Sequence, residues 1–195
     1  DVSTVIATHL NQIMQKHSDE MLGHEDVQQL LDNLAKSSPK LVEELTPTTV
    51  SINILRKVLQ NLLREKVSIR DFRSIAESIT GFGASQNADI LTAACRQSLS
   101  RQIVQGIVGN AVELSVMTLD PSLEQLLLKS VEQAQNSGAD EGAFLEPTMA
   151  ERLQQSLMET ASKLEMEGKP LVLLVAAPIR LTLSKFIRLF IPDVH

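Results

Sequence analysis

The apolar residues of this chain change their spacing near residue 110, and that change limits the fold more than any other feature. From Thr4 to Ile107 they recur every three or four positions, as in helices that bury one side. Val112, Leu114 and Val116 then alternate with Glu113, Ser115 and Met117, the period of a strand. The expected fold is therefore α+β and predominantly helical, an all-α, helix-turn-helix-like subdomain followed by a small α/β subdomain.

Within the first part, Thr4–Met21 reads as one amphipathic helix carrying Val5, Ile6, Leu10, Ile13 and Met14, interrupted by Gly23 and His24. A second helix runs from Glu25 to Lys36, and Pro39 and Pro47 bracket a short one around Leu41–Leu45. Ser51–Lys66 has the clearest buried face, with Ile54, Leu55, Val58, Leu59, Leu62 and Leu63 together. Ser68-Ile69-Arg70-Asp71 has the form of a capping box, which predicts a helix from Ser68 to Ile79, stopped by Gly81-Phe82-Gly83. A further helix is expected from Ala88 to Ile107, before the turn Gly109-Asn110.

In the second part, Asp120-Pro121 supplies an N-cap and a first-turn proline for a helix over Ser122–Gln135, with a polar loop at Asn136–Gly142. Thr148–Glu151 reads as a second capping box, opening a helix to Glu167 that Gly168 and Pro170 close. Leu171–Ala177 reads as a central parallel strand, apolar on both faces, before a last helix over Pro178–Ile191. A strand–helix unit finishing at Pro192–His195 calls for one more strand to complete its crossover.

Composition narrows the function. Hydrophobic residues make up 43% of the 195, enough for a real core, but the aromatics are five Phe with no Tyr or Trp. The core must be aliphatic, and stacking rings for a nucleic acid are scarce. A net charge of −6 also disfavours general phosphate binding. That charge is partitioned: residues 1–50 carry three basic and eight acidic side chains, 51–105 eight and four, 106–195 seven and twelve. Such partition suits a chain that meets neighbours acidic face to basic face. The lone Cys95 rules out an internal disulfide and sits in an apolar stretch, as a packing residue would. The apolar run Leu171–Pro178 is far shorter than the roughly 20 residues of a membrane-spanning helix, and no direct membrane insertion by this stretch is expected.

Catalytic and metal-binding patterns are missing. His9, His17, His24 and His195 make no HExxH and no ligand spacing with Cys95. No GxxxxGK[ST], GxGxxG or GxSxG is present. Asp19-Glu20 and Glu43-Glu44 are adjacent pairs whose side chains diverge on a helix, the pattern of a solvated face rather than an acid–base dyad. The reading is no enzyme, no cofactor and no metal. One rival remains, because Ser51–Ile79 could be a helix-turn-helix DNA-binding regulator with Arg56, Lys57, Arg64, Lys66, Arg70 and Arg73 as its basic region. Its second helix offers few base-reading side chains beyond Arg70 and Arg73, so no nucleic-acid partner is expected.

Two blocks carry a resemblance. One is Ala7-Thr8-His9-Leu10, then Leu22-Gly23-His24-Glu25-Asp26-Val27-Gln28-Gln29-Leu30-Leu31-Asp32, running into Pro39-Lys40-Leu41-Val42-Glu43-Glu44-Leu45. The other is Leu55-Arg56-Lys57-Val58-Leu59-Gln60-Asn61-Leu62-Leu63, then Val67-Ser68-Ile69-Arg70-Asp71-Phe72-Arg73. Together they resemble the cytoplasmic C-terminal domain of the FlhA family, the export-gate proteins of flagellar type III secretion. The injectisome-type homologues match these stretches less well and form the alternative.

The resemblance implies a membrane half and a cytosolic half of four subdomains, assembled as a nonameric ring at the cytoplasmic face of the bacterial inner membrane. By it, residues 1–22 end the first cytosolic subdomain and form a linking helix. Residues 23–108 are an all-helical subdomain, and 109–195 an α/β subdomain that is C-terminally incomplete. It further implies a docking and ring-forming platform whose partners are flagellar export chaperones with their substrates and other export-apparatus components. Val5, Ala7 and Thr8 would help line the chaperone groove. From the residues alone, Val5 and Ala7 would be core or helix-start positions and Thr8 a surface one.

Overall fold

The computed structural model describes residues 2–137 and 145–195. They divide into two compact units, residues 1–110 and 111–195, each with its own apolar core. The predominantly helical α+β class is as the periodicity requires, with eight helices in the described part of the first unit and a two-stranded parallel sheet in the second.

In the first unit, helix α1 (Val2–Lys16) and the single turn α2 (Ser18–Met21) replace the one helix expected over Thr4–Met21, because the chain leaves helical geometry at His17. Helix α3 (His24–Ala35) starts as the Gly23–Asp26 stretch dictates: the Asp26 carboxylate accepts from the Gly23 amide at 2.7 Å. Helix α4 (Pro39–Glu43) runs into a wide turn over Glu44–Thr49 that contains the cis Thr46-Pro47 bond. Helix α5 (Ile52–Arg64) is capped by the Ser51 hydroxyl, which accepts from the Ile54 amide. Leu55, Val58, Leu59 and Leu62 on it are all fully buried.

Helix α6 (Phe72–Phe82) corrects the capping box expected at Ser68. Asp71 is itself the cap, accepting from the Ser74 amide and hydroxyl, while Ser68 serves only a turn with Arg70. A carboxylate one residue before the helix satisfies the orphan amides better than a serine three residues earlier can. Gly83, with φ of +95°, ends the helix where a side chain would be strained. The single helix expected over Ala88–Ile107 is two, α7 (Ala88–Ser98) and α8 (Ser100–Val108), broken at the buried Leu99. Helix α7 is the hub, packing against both α5 and α6. Helices α5 and α6 are thus gathered by a third helix.

Polar links hold this hub. The Asn61 amide donates to Asp89 and Thr92 of α7, and Arg96 reaches the nearly buried Glu65 at 2.7 Å. Gln102 of α8 donates to Asp71 at 2.7 Å. Cys95 lies at 0% exposure against the Ile75 carbonyl, and burial pushes its thiol up to about 11 from an ordinary value of 9.0.

In the second unit the strand expected over Val112–Thr118 shrinks to β1 (Met117–Thr118), and Val112 stands fully in solvent. Alternation needs a buried side to be realised, and this segment has one only at its end. Helix α9 (Pro121–Ser137) is capped by Asp120, as expected. Helix α10 (Pro147–Met166) begins at Pro147 after Glu146, so the capping box at Thr148 is not formed. The loop expected at Asn136–Gly142 begins inside α9 and continues outside the described residues. Strand β2 (Leu173–Leu174) pairs in parallel with β1, Met117 opposite Leu173. It is less enclosed than the expected central strand, for Leu174 faces solvent. Helix α11 (Ala177–Ile187) carries Pro178 in its first turn and ends four residues before the expected Ile191. The Glu124 carboxylate of α9 accepts from the Ala176 amide at 2.8 Å, fixing the entry to α11. The core between α9, α10 and α11 holds Leu127, Leu153, Leu157, Ile179, Leu183 and Ile187.

Candidate partner-binding face on the first helix

Helix α1 forms because nothing in Val2–Lys16 breaks it: no Gly, no Pro, and apolar residues at helical spacing. Such a helix ordinarily lays its apolar stripe on a core. This one does not. Val2, Val5, Ile6 and Leu10 are 56–74% exposed, and Ile13 and Met14 stand nearly as open.

At 3.6 residues per turn, Val2, Ile6, Leu10 and Ile13 form the middle of one stripe. Thr8 falls roughly opposite it, with Val5 and Ala7 on the two flanks. All three of these positions are exposed, so the expectation that Val5 and Ala7 belong to a core does not hold here. The Thr8 hydroxyl turns back to donate to the Thr4 carbonyl at 2.8 Å, so its polar group is satisfied within the helix. Helix α1 thus exposes both its apolar stripe and the side opposite it.

The base of that surface is firm. Leu22 packs on the first unit's core, and its carbonyl accepts from the Gln60 side chain of α5 at 3.1 Å. Asp19, expected as part of a solvated acidic pair, is instead buried and receives Arg64 Nε at 3.0 Å. Its partner Glu20 stays exposed and meets His17. Sequence spacing could not separate the two, because the charge that draws Asp19 inward lies 45 residues away.

Within the basic region considered for DNA, Arg64 is engaged with Asp19 and Arg73 with Glu77, as is Arg96 beyond it with Glu65. A groove of about 740 Å³ between α5 and the start of α7 is lined by Lys57, Asn61, Arg64 and Asn87, but its polar groups are mostly joined to one another. Among the described residues no group of His, Cys, Asp and Glu converges as a metal site would, and no helix is long and apolar enough to cross a membrane.

Family comparison decides the class. The FHIPEP family matches residues 1–195, the whole chain. The chain belongs to the FHIPEP family. Among the curated members, "Flagellar biosynthesis protein FlhA" of Escherichia coli (strain K12) is 42% identical over 194 residues. That of Bacillus subtilis (strain 168) is 31% identical over the same length. The match covers 99% of this chain and 27% of the Escherichia coli protein, so the chain spans about a quarter of such FHIPEP relatives. Solved structures agree in fold. The Chlamydia pneumoniae CdsV and CdsO protein complex gives a TM-score of 0.84 at 28% identity, covering 100% of this chain and 56% of that one. The nonameric EPEC SctV-C gives 0.79 at 24%, covering 97% and 56%.

Proposed function

We propose that this FHIPEP chain is part of a cytoplasmic docking platform of a flagellar type III protein export gate, at the inner face of the bacterial inner membrane. The observation that carries the reading is the outward α1, whose apolar stripe, flanking Val5 and Ala7, and opposite Thr8 face solvent on a firmly anchored base. A surface helix with unburied aliphatic residues is the usual mark of a protein contact. Identity to flagellar FlhA proteins supports the flagellar branch over the injectisome one. The proposed partners are export chaperones carrying their substrates, with Val5, Ala7 and Thr8 in the contact, and other components of the export apparatus.

The division of α1 into an apolar stripe and an opposite Thr8 side lets two bodies use it at once. The stripe suits a permanent cover, and the Thr8 side stays open to a partner that comes and goes. Ring formation with further copies belongs to the same proposal. The charge partition supports it, because acidic 1–50 and basic 51–105 stretches of different copies attract.

The test replaces Thr8 by Met in the whole gate protein. Binding of flagellar chaperones, read by calorimetry, should weaken by ~1–3 kcal/mol, the loss expected when one central contact is blocked. Motility and export of filament-type substrates should fall, with hook-type export largely kept. A Thr8→Met protein that binds chaperones normally and swims fully removes Thr8 from the site.

A further inference from the structure

The groove between α5 and the start of α7 is built along one side of α5. Ile54, Lys57, Asn61 and Arg64 recur at three- and four-residue spacing and so stand along one wall, with Ala88 and Asp89 of α7 on the other. These walls are fixed before anything enters. The Asn61 amide donates to Asp89 at 3.0 Å and to Thr92 at 3.3 Å, and the Asn87 side chain accepts from the Asp89 and Ile90 amides at 2.9 and 3.3 Å. A preorganised groove loses little freedom when it is filled.

The charges in the groove are not all engaged. Its one acid, Asp89, is half-buried and accepts from Asn61. Arg64 is held from outside by Asp19 yet keeps 60% of its side chain exposed. Lys57 is exposed, and among the described residues it makes no hydrogen bond or ion pair. The opening thus presents cationic heads above an acid that is already satisfied. No aromatic ring lines it to stack on a nucleic-acid base, and one engaged carboxylate is too few for a metal ion.

We propose that this groove docks an acidic peptide segment of a partner protein. A carboxylate of the segment meets Lys57, and a neighbouring aliphatic side chain rests on Ile54, which the core covers only in part. Lys57 and Arg64 are two turns apart, about 10.5 Å along the helix. An extended peptide advances about 3.3 Å per residue, so acids three positions apart reach both cations. The residues concerned lie on α5 and α7, so the proposal does not rest on the reading of α1.

The test uses a short fluorescently labelled peptide of serine and leucine with two glutamates three positions apart, and its match with glutamines. The chain should bind the glutamate peptide more tightly, with its largest amide shifts at Lys57, Asn61 and Asp89. Lys57→Gln should weaken the glutamate peptide about three- to fivefold, the effect of one exposed ion pair, and leave the glutamine peptide unchanged. Lys57→Glu should weaken it further, since like charges then face each other. Arg70→Gln removes an exposed cation outside the groove and should alter binding by less than about twofold. Equal losses from Lys57→Gln and Arg70→Gln would reveal a general attraction of acids to the chain and overturn the site. Shifts confined to α1, or no preference for glutamate, overturn it too. If Lys57→Glu instead abolishes self-association in sedimentation velocity and leaves peptide binding intact, a second copy fills the groove and the partner's segment is ruled out.

Discussion

Helices α1 and α5 carry nearly the same pattern and meet opposite fates. Both are unbroken, both place an aliphatic residue every three or four positions, and both would be drawn as amphipathic from sequence. The centre of the α5 stripe is buried, at 0% exposure for Leu55, Val58, Leu59 and Leu62. That of α1 is more than half exposed at Val2, Val5, Ile6 and Leu10. The difference is company. Helix α5 is met by α2, α3 and α7, all from the same unit, whereas within the unit α1 chiefly meets its own continuation α2. Periodicity states that a face needs a cover; it does not state which body provides it.

Four measurements sharpen or break that contrast. Leu59→Ala has the largest expected effect, a loss of roughly 2–5 kcal/mol in a denaturant titration, since a full aliphatic side chain leaves a close-packed site. A loss under about 0.5 kcal/mol would place Leu59 on a surface and erase the distinction from α1. Next comes pH. Cys95 on α7, beneath α5 and α6, is held neutral with its pKa raised to about 11 from 9.0. A raised acid pKa leaves stability undiminished below the unfolded value, and stability is lost above it as the unfolded thiol ionises first. Stability should be level up to about pH 9 and decline toward 11, and Cys95→Ala should flatten that decline.

Asp71→Ala is a middle case, removing the α6 cap and its link to Gln102 for a loss of about 0.5–2 kcal/mol. The Ser74 hydroxyl and amide, helped by Gln102, hold this carboxyl below its ordinary range. Its contribution is therefore present above the ordinary value of 3.8 and is lost as pH falls through it and below. The Asp71→Ala chain should show a shallower acid limb in thermal melts. The smallest effects belong to α1. Ile6→Ala and Thr8→Met should each change stability by no more than ~0.5 kcal/mol. A loss of about 2 kcal/mol or more at Ile6 would show, against ordinary surface expectations, that the stripe is covered in the chain alone.

Local chemistry was legible wherever the deciding groups are close in sequence. Ser51 before α5, Asp120-Pro121 before α9 and Gly83 after α6 act as their residue types require. Misreadings came where two local signals compete or a distant group decides. Asp71 displaced Ser68 as a cap because an ionised acceptor adjacent to the helix outcompetes a hydroxyl. The helix expected over Ala88–Ile107 is interrupted at Leu99, where the backbone leaves helical geometry. Asp19 went inward for Arg64, and the Glu124 contact with the Ala176 amide joins residues 52 positions apart. For the candidate face the pattern announced an amphipathic α1 but not its exposure, and the roles of Val5, Ala7 and Thr8 came only from family resemblance.

The pairing of buried Asp19 with Arg64 gives α1 a mechanical character. The chain bends at His17, so α1 is a beam and α2 is its mounting plate, fastened to α5 by the ion pair and by Gln60 on the Leu22 carbonyl. A body that grips such a beam applies torque at the mounting. The bolts taking that torque sit on α5, which is also joined through Asn61 to Asp89 and Thr92 at the head of α7. Load placed on the first helix is thereby delivered to the hub of the unit.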